Sequence, residues 1–326
     1  MTESLPGFKS GTVALAGRPN AGKSTLLNAI LGQKLAITSP KPQTTRNRIV
    51  GIHSTERSQI VLVDTPGIHP ARSRLNRAMV DVATSSMLDV DVICLVVDAH
   101  HAADAVASGK HALSKGDEAL AAYVEDARRV STPGAFAGQG AIVVALNKVD
   151  ITNKPTLLPL FDAWSKRLPD AALVPISARK AEGLDVLLGE WEKALPEAPP
   201  LYPIDQVTEH PEKFFVAEII REKIVLLTEQ ELPYATAVEV ESFDETEREG
   251  GRIAIHARIL VARDSQKGIV IGKGGQLLKK IRSLAKKEIE EFLDARITLE
   301  LHVVLKKDWT EDDRVLRALG YEPSPR

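Results

Sequence analysis

Residues 17–24 read Gly-Arg-Pro-Asn-Ala-Gly-Lys-Ser, after an apolar run at 13–16 and before a helix-like stretch at 25–31. A glycine-rich loop between a strand and a helix can surround a diphosphate with backbone N–H groups. Gly17 and Gly22 permit the tight path, and the helix starting near Lys23 adds the positive end of its dipole. Lys23 brings a mobile charge to β- and γ-phosphates, and the Ser24 hydroxyl is placed to ligate Mg²⁺. The candidate phosphate-binding set is therefore Gly17, Arg18, Pro19, Asn20, Ala21, Gly22, Lys23, Ser24 and Thr25.

Such a loop needs a sheet to stand on. Apolar, β-branched runs recur at 13–16, 60–63, 92–97, 141–145 and 173–176, separated by helix-like segments at 23–31, 75–85, 117–130, 156–168 and 184–195. Alternation of this kind predicts an α/β fold with a mostly parallel sheet covered on both faces. Residues 49–53 read as an added antiparallel strand. Ligands in such sheets sit beyond the carboxyl ends of the strands, and the remaining motifs fall at those ends.

After 60–63 stand Asp64, Thr65, Pro66, Gly67 and Ile68. A carboxylate at this strand tip can hold Mg²⁺ through water, and Gly67 can offer its N–H to a γ-phosphate. After 141–146 stand Asn147, Lys148, Val149 and Asp150. An aspartate here can accept from guanine N1–H and the exocyclic amine, which adenine does not present together, so the expected ligand is GTP. Ser177 and Ala178, after the last strand, can meet guanine O6 with their backbone. The proline-containing loop Ser39-Pro40-Lys41-Pro42-Gln43-Thr44-Thr45-Arg46 reads as a switch. Its threonine would complete Mg²⁺ coordination only beside a γ-phosphate; Thr45 is the preferred ligand and Thr44 the alternative.

Bulk charge is close to balanced, at −2, so a nucleic-acid site would have to be a local patch. Such a patch exists. Residues 263–287 carry eight Lys or Arg against one acid, although 204–326 as a whole has 20 basic and 24 acidic residues. Within it, Gly272-Lys273-Gly274-Gly275 separates two helical segments. The glycines admit a tight turn and a close RNA backbone, and Lys273 can meet phosphate. Candidate RNA-binding residues are Lys267, Ile269, Val270, Ile271, Gly272, Lys273, Gly274, Gly275, Lys279 and Lys280. Aromatic content of 4% argues against base stacking on an aromatic sheet. Four prolines at 195–203 mark a semi-rigid spacer. The expected domains are 1–198, a linker at 199–203, and 204–326.

The combination GRPNAGKS, PQTTR, DTPG, NKVD and SA resembles the Era family of bacterial GTPases, and the order α-β-β-α-α-β around GKGG resembles a type II KH domain. The resemblance covers nearly the whole chain. It implies a Ras-like P-loop domain followed by a smaller α+β KH domain, and Mg²⁺-dependent hydrolysis of GTP. It also implies binding to 16S rRNA near its 3′ end and a role in assembly of the small (30S) ribosomal subunit. Ile68 occupies the place where Ras-like proteins carry a water-orienting glutamine. In related GTPases an asparagine at the position of Asn20 helps bind K⁺, so K⁺-stimulated hydrolysis is expected. A different class of reading is a nucleotide-gated RNA-binding or signalling module in which turnover is incidental. A nuclease is disfavoured, because no unassigned carboxylate or histidine cluster stands in a motif.

Three readings complete the expectation. The 98–140 connection, longer than the family pattern, reads as surface loop in its histidines (His100, His101, with Asp104) and as glycine-rich loop at 131–140. Cys94, the single cysteine, lies in an apolar run and reads as a buried thiol. The N-terminal MTESLPGFKSG lacks the layout of a secretory signal and no stretch of about 18 apolar residues exists. The expectation is a cytoplasmic monomer, with peripheral contact at the inner face of the cell membrane left open.

Overall fold

Alternating strands and helices from Lys9 to Ala194 close into one layered unit in the computed structural model, which describes residues 7–39, 41, 44–68, 73–88, 90–130, 140–246, 248 and 252–321. In chain order the elements are β1 (Lys9–Gly17), α1 (Lys23–Leu31), β2 (Ile49–Ser54), β3 (Ser58–Asp64), α2 (Arg74–Ser85), β4 (Val92–Asp98), α3 (Ala99–Ala107), α4 (Lys115–Val130), β5 (Ala141–Asn147), α5 (Lys154–Arg167), β6 (Ala172–Pro175) and α6 (Leu184–Ala194). The six strands lie in the order β2-β3-β1-β4-β5-β6, all parallel except β2, which runs antiparallel to β3. Successive strand side chains point to opposite faces. Val13 and Leu15 therefore enter the core under α1 and α6, with Leu27 and Trp191, while Ala14 and Ala16 enter the core under α3–α5, with Val124 and Trp164. Cys94 is fully buried in the first layer, and burial pushes its thiol pKa up. That makes it unreactive.

One sequence expectation is corrected here. His100, His101 and Asp104 do not lie in a loop but on α3, whose first turn is capped by Asp98 accepting from the His101 N–H at 3.1 Å. The alanine-rich segment propagates a helix once that cap is present. Among the described residues no group of three or more His, Cys, Asp or Glu is arranged to hold a metal. Residues 131–139 of the glycine-rich stretch lie outside the described residues.

The second sheet is smaller. After α7 (Glu212–Leu227) and the one-turn α8 (Leu232–Ala235) come β7 (Thr236–Asp244), β8 (Arg252–Val261), α9 (Asp264–Ile271), α10 (Gln276–Leu293), β9 (Arg296–Leu305) and α11 (Asp313–Ala318). Strand order is β7-β8-β9, with β9 parallel to β8. Helices α7 and α10 cover one face through Ile220, Ile224, Ile281 and Ile289. Apart from α8 and α11 this is the expected order.

The segment between the sheets is held, not loose. Gln59 Oε1 accepts from the N–H groups of Leu201 (2.7 Å) and Tyr202 (2.9 Å), and Ile52 N–H donates to Val207 O at 2.7 Å. A further core forms across the two units, where Leu75 and Met79 of α2 pack with Ala237, Leu260, Trp309, Leu316 and Tyr321. Trp309 is fully buried and its indole N–H donates to Ala235 O at 3.1 Å. Trp309→Ala is expected to cost roughly 3–5 kcal/mol, read as a lower urea midpoint for the second domain, with guanine nucleotide affinity retained.

Candidate functional site

The turn between β1 and α1 is shaped by what its glycines exclude. Gly22 sits at φ +100°, and a Cβ there would come within 2.2 Å of Asn147 Nδ2. A Cβ on Gly17 would meet Val96 O at 2.5 Å. Gly67 lies directly against the same turn, since a Cβ on it would meet Pro19 N at 2.7 Å. Ala21 is buried under the turn, Thr25 is half-buried at the head of α1, and Asn20 is exposed at φ +62°. Lys23 is buried, and its ammonium donates to Gly17 O and Arg18 O, both at 3.1 Å. Burial lowers its pKa to about 8, with Asp64 opposing the shift. Arg18 leaves the loop instead, donating to Ser114 Oγ at 3.1 Å beside Asp117.

Three oxygens from separate segments converge next to Lys23. Ser24 Oγ stands 2.8 Å from Thr45 Oγ1 and donates to Asp64 Oδ2 at 2.6 Å, and Thr45 Oγ1 reaches the same oxygen at 3.5 Å. Asp64 is fully buried, its Oδ1 has no hydrogen-bond partner, and burial raises its pKa to about 6 against the pull of Lys23. A compact all-oxygen set with one buried carboxylate oxygen unmatched suits a hard dication such as Mg²⁺. Thr44 does not join the set; its hydroxyl donates to Lys41 O at 2.7 Å. Thr65 is buried and donates to Leu15 O at 2.8 Å, so it anchors the start of its loop to β1. Pro66 is buried, and Ile68 packs against the core under α3–α5 while its N–H donates to Gly17 O at 3.3 Å. Pro40, Pro42 and Gln43, and residues 69–72, lie outside the described residues.

At the ends of β5 and β6, Asn147 ties three loops together. Its Nδ2 donates to Ala21 O at 2.8 Å, and its Oδ1 accepts from Lys148 N (2.8 Å) and Ala178 N (2.9 Å). Lys148 takes φ +71° and pairs with Asp98 Oδ2 at 2.5 Å. No sequence motif contains Asp98; its signal is its place at the tip of β4, in register with Asn147. Asp150 Oδ1 accepts from Ser177 Oγ at 2.8 Å, which orients its carboxylate. Lys148 and Asp150 are only half-buried, so this edge is open to a base.

The loop holding Thr45 is buried by the second domain. Arg46, 1% exposed, donates to Thr236 O (2.7 Å) and Pro233 O (2.6 Å) and lies over the Tyr321 ring at 5.9 Å. Lys41 donates to Val225 O at 2.6 Å and to Thr228 O. In the sequence Arg46 reads only as part of a switch, because nothing local reveals a partner nearly two hundred residues away.

On the second domain, Gly272, Gly274 and Gly275 all take positive φ (+74°, +59° and +78°), which turns α9 sharply into α10. Lys273, Lys279 and Lys280 are exposed, Lys267 is half-buried, and Ile269 is 51% exposed. Val270 is a correction. It is fully buried in the core, and Ile271 packs against that core. Consecutive helical residues point about 100° apart, so three in a row cannot share one groove face.

With the geometry in place, comparisons identify the family. The chain is 48% identical to the GTPase Era of Geobacter metallireducens over 314 residues, covering 96% of this chain and 98% of that one. The chain belongs to the Era family of GTPases. It is equally similar, at 48%, to the Era of Geotalea daltonii, over 97% of this chain and 98% of that one. A family model described as 50S ribosome-binding GTPase matches residues 12–148, and a KH domain model matches 231–310. Among solved structures, an Era variant from Aquifex aeolicus bound to GDP and aluminium fluoride superposes with TM-score 0.86 at 35% identity, over 97% of this chain and 100% of that one. An Era bound to MgGDPNP and nucleotides 1506–1542 of 16S ribosomal RNA gives 0.85 at 36%, with the same coverage. Membership makes the chain a GTPase with a C-terminal KH domain, as the motifs implied.

Asp150→Asn removes the charge that would accept two guanine donors and offers an amide N–H instead. GTP affinity is expected to fall by about a hundredfold or more, with xanthosine triphosphate gaining relative to GTP, measured by displacement of a fluorescent nucleotide.

Proposed function

We propose that the protein hydrolyses GTP to GDP and phosphate, binds 16S rRNA near its 3′ end through the α9–α10 hairpin, and acts in assembly of the 30S subunit. The observation that carries this reading is that a guanine-type pocket and a basic GKGG hairpin occur in one chain, with the loop of Thr45 buried between their domains. The proposed division is 1–198 for the GTPase domain, 199–203 for the linker and 204–326 for the KH domain.

In this reading residues 17–25 and Gly67 receive the phosphates. Asn147 and Lys148 shape the base pocket, Asp150 reads guanine, and Ser177 and Ala178 close it. Ser24, Thr45 and Asp64 would hold Mg²⁺, which when bound neutralises charge developing on the phosphates. Lys23, kept in place by two carbonyls, can turn its ammonium to the β- and γ-phosphates. Ile68 cannot orient water, so the chain itself supplies no glutamine-like group at that point. Asn20, at the tip of the phosphate loop, is the candidate for K⁺. Loop 38–48 and the stretch 67–77, whose last four residues form the first turn of α2, respond to the γ-phosphate, and their contacts with the second domain then bias its availability to RNA. The proposed setting is a cytoplasmic monomer, supported by the single buried cysteine and by apolar faces covered within the chain. Among the described residues no helix is long and apolar enough to cross a membrane; peripheral contact is tested by vesicle flotation.

Two experiments address the proposal. Lys273→Glu with Lys279→Glu is expected to weaken binding of a single-stranded 16S 3′-end oligonucleotide at least tenfold. It should also flatten the salt dependence by about one to two phosphate contacts, leaving guanine nucleotide affinity unchanged. Charge reversal is cleaner here than substitution of Gly272, whose added Cβ would meet Leu277 at 2.7 Å. Single-turnover hydrolysis should run faster in KCl than in NaCl; equal rates would remove the role given to Asn20. Stimulation by the same RNA separates an assembly GTPase from a module whose turnover is incidental.

A further inference from the structure

Thr45 is the only proposed metal ligand that sits on a loop outside the sheet ends, yet it is only 8% exposed. What holds it lies in the other domain. Arg221 on α7 donates from Nη2 to Thr44 O at 2.6 Å, one residue before Thr45. Its guanidinium is 1% exposed and is gripped by Glu218 on the same helix, with Nε to Oε1 at 2.7 Å and Nη2 to Oε2 at 2.5 Å. One residue after Thr45, Arg46 donates to two carbonyls of the same domain. The metal-facing threonine is thus suspended between two interdomain anchors. On one side the second domain gives a donor to the loop's backbone, and on the other it receives a side chain from the loop.

The directions matter. A loop peptide in water loses order easily, and a carbonyl buried without a donor is costly. Arg221 both satisfies the Thr44 carbonyl and sets the plane of the peptide leading into Thr45. The bidentate Glu218 pair removes freedom from the guanidinium that a lone arginine would keep. Burial opposes the charge on Arg221, but Glu218, with Tyr321 and Glu222, outweighs it, so its pKa stays above the ordinary value. The donor is permanent.

We infer that Arg221, oriented by Glu218, is a positioning residue for GTP hydrolysis: the KH domain supplies it to hold the Thr45 hydroxyl at the Mg²⁺ site. The inference rests on the reading of Thr45 as a Mg²⁺ ligand in the GTP state. GDP, without a γ-phosphate, should not depend on it.

The test uses the full chain with Arg221→Met and Glu218→Gln together, so that neither charge is left buried alone. Steady-state hydrolysis of GTP is measured against Mg²⁺ concentration, with affinities for GDP and a non-hydrolysable GTP analogue. Thr45→Ala, and the combination of all three changes, complete a cycle. The expected result is a roughly tenfold rise in the Mg²⁺ needed for half-maximal rate, a matching loss of preference for the analogue over GDP, and unchanged GDP affinity. In the Thr45→Ala background the Arg221/Glu218 change should add nothing further. If Thr45→Ala raises the Mg²⁺ requirement and the Arg221/Glu218 variant does not, the positioning role is overturned while the metal site stands. If Thr45→Ala itself leaves it unmoved, the reading of Thr45 fails. If the losses add, or GDP affinity falls in parallel, Arg221 is a structural support only.

Discussion

The side-chain amide of Asn147 is the interaction on which the nucleotide edge depends. It has few donors and acceptors, and three of its bonds go to backbone: Ala21 O, Lys148 N and Ala178 N. Those atoms belong to the loops after β1, β5 and β6. Buried polar groups must find partners, so each loop is drawn to the same amide. The closeness leaves Gly22 no room for a side chain. Phosphate turn and base pocket are thereby set at one spacing.

A second constraint lies at the metal side. A carboxylate buried as deeply as Asp64 is expensive unless charge or hydrogen bonds compensate it. Lys23 and the hydroxyls of Ser24 and Thr45 supply part of this, and one oxygen remains for a cation. The threonine comes from a loop with no sheet behind it. The second domain therefore acts as its scaffold, through Arg221 and through the carbonyls that receive Arg46. The same boundary is sealed by apolar packing of Leu75 and Met79 around Trp309 and Tyr321. The loop of Thr45 and helix α2 thus share a buried surface with the second domain.

Much of the candidate site is written in the chain as local runs. Gly17–Ser24, Asp64–Gly67, Asn147–Asp150 and Gly272–Gly275 are short runs whose residue types each carry a mechanism, and each falls at a strand end or a helix junction. The antiparallel β2 and the core role of Cys94 were equally readable from apolar patterning. The readings that failed did so for geometric reasons. Val270 stands among the candidate RNA-binding residues only when the run 269–271 is taken without helical phase; in α9 it faces the core. His100 and His101 looked like loop because their helix starts from a cap, Asp98, that doubles as the partner of Lys148.

The sequence by itself determined the alternation of strands and helices, the glycine-rich loop after β1, the candidate aspartate for guanine and the basic hairpin, since each depends on residues adjacent in the chain. Only the tertiary structure decided that Asn147 joins three loops, that Asp98 steadies Lys148, and that Arg221 and Arg46 bind the Thr45 loop to the second domain. Those links join residues tens to nearly two hundred positions apart. Their partners are mostly backbone carbonyls and amides, which every residue possesses and no residue type announces.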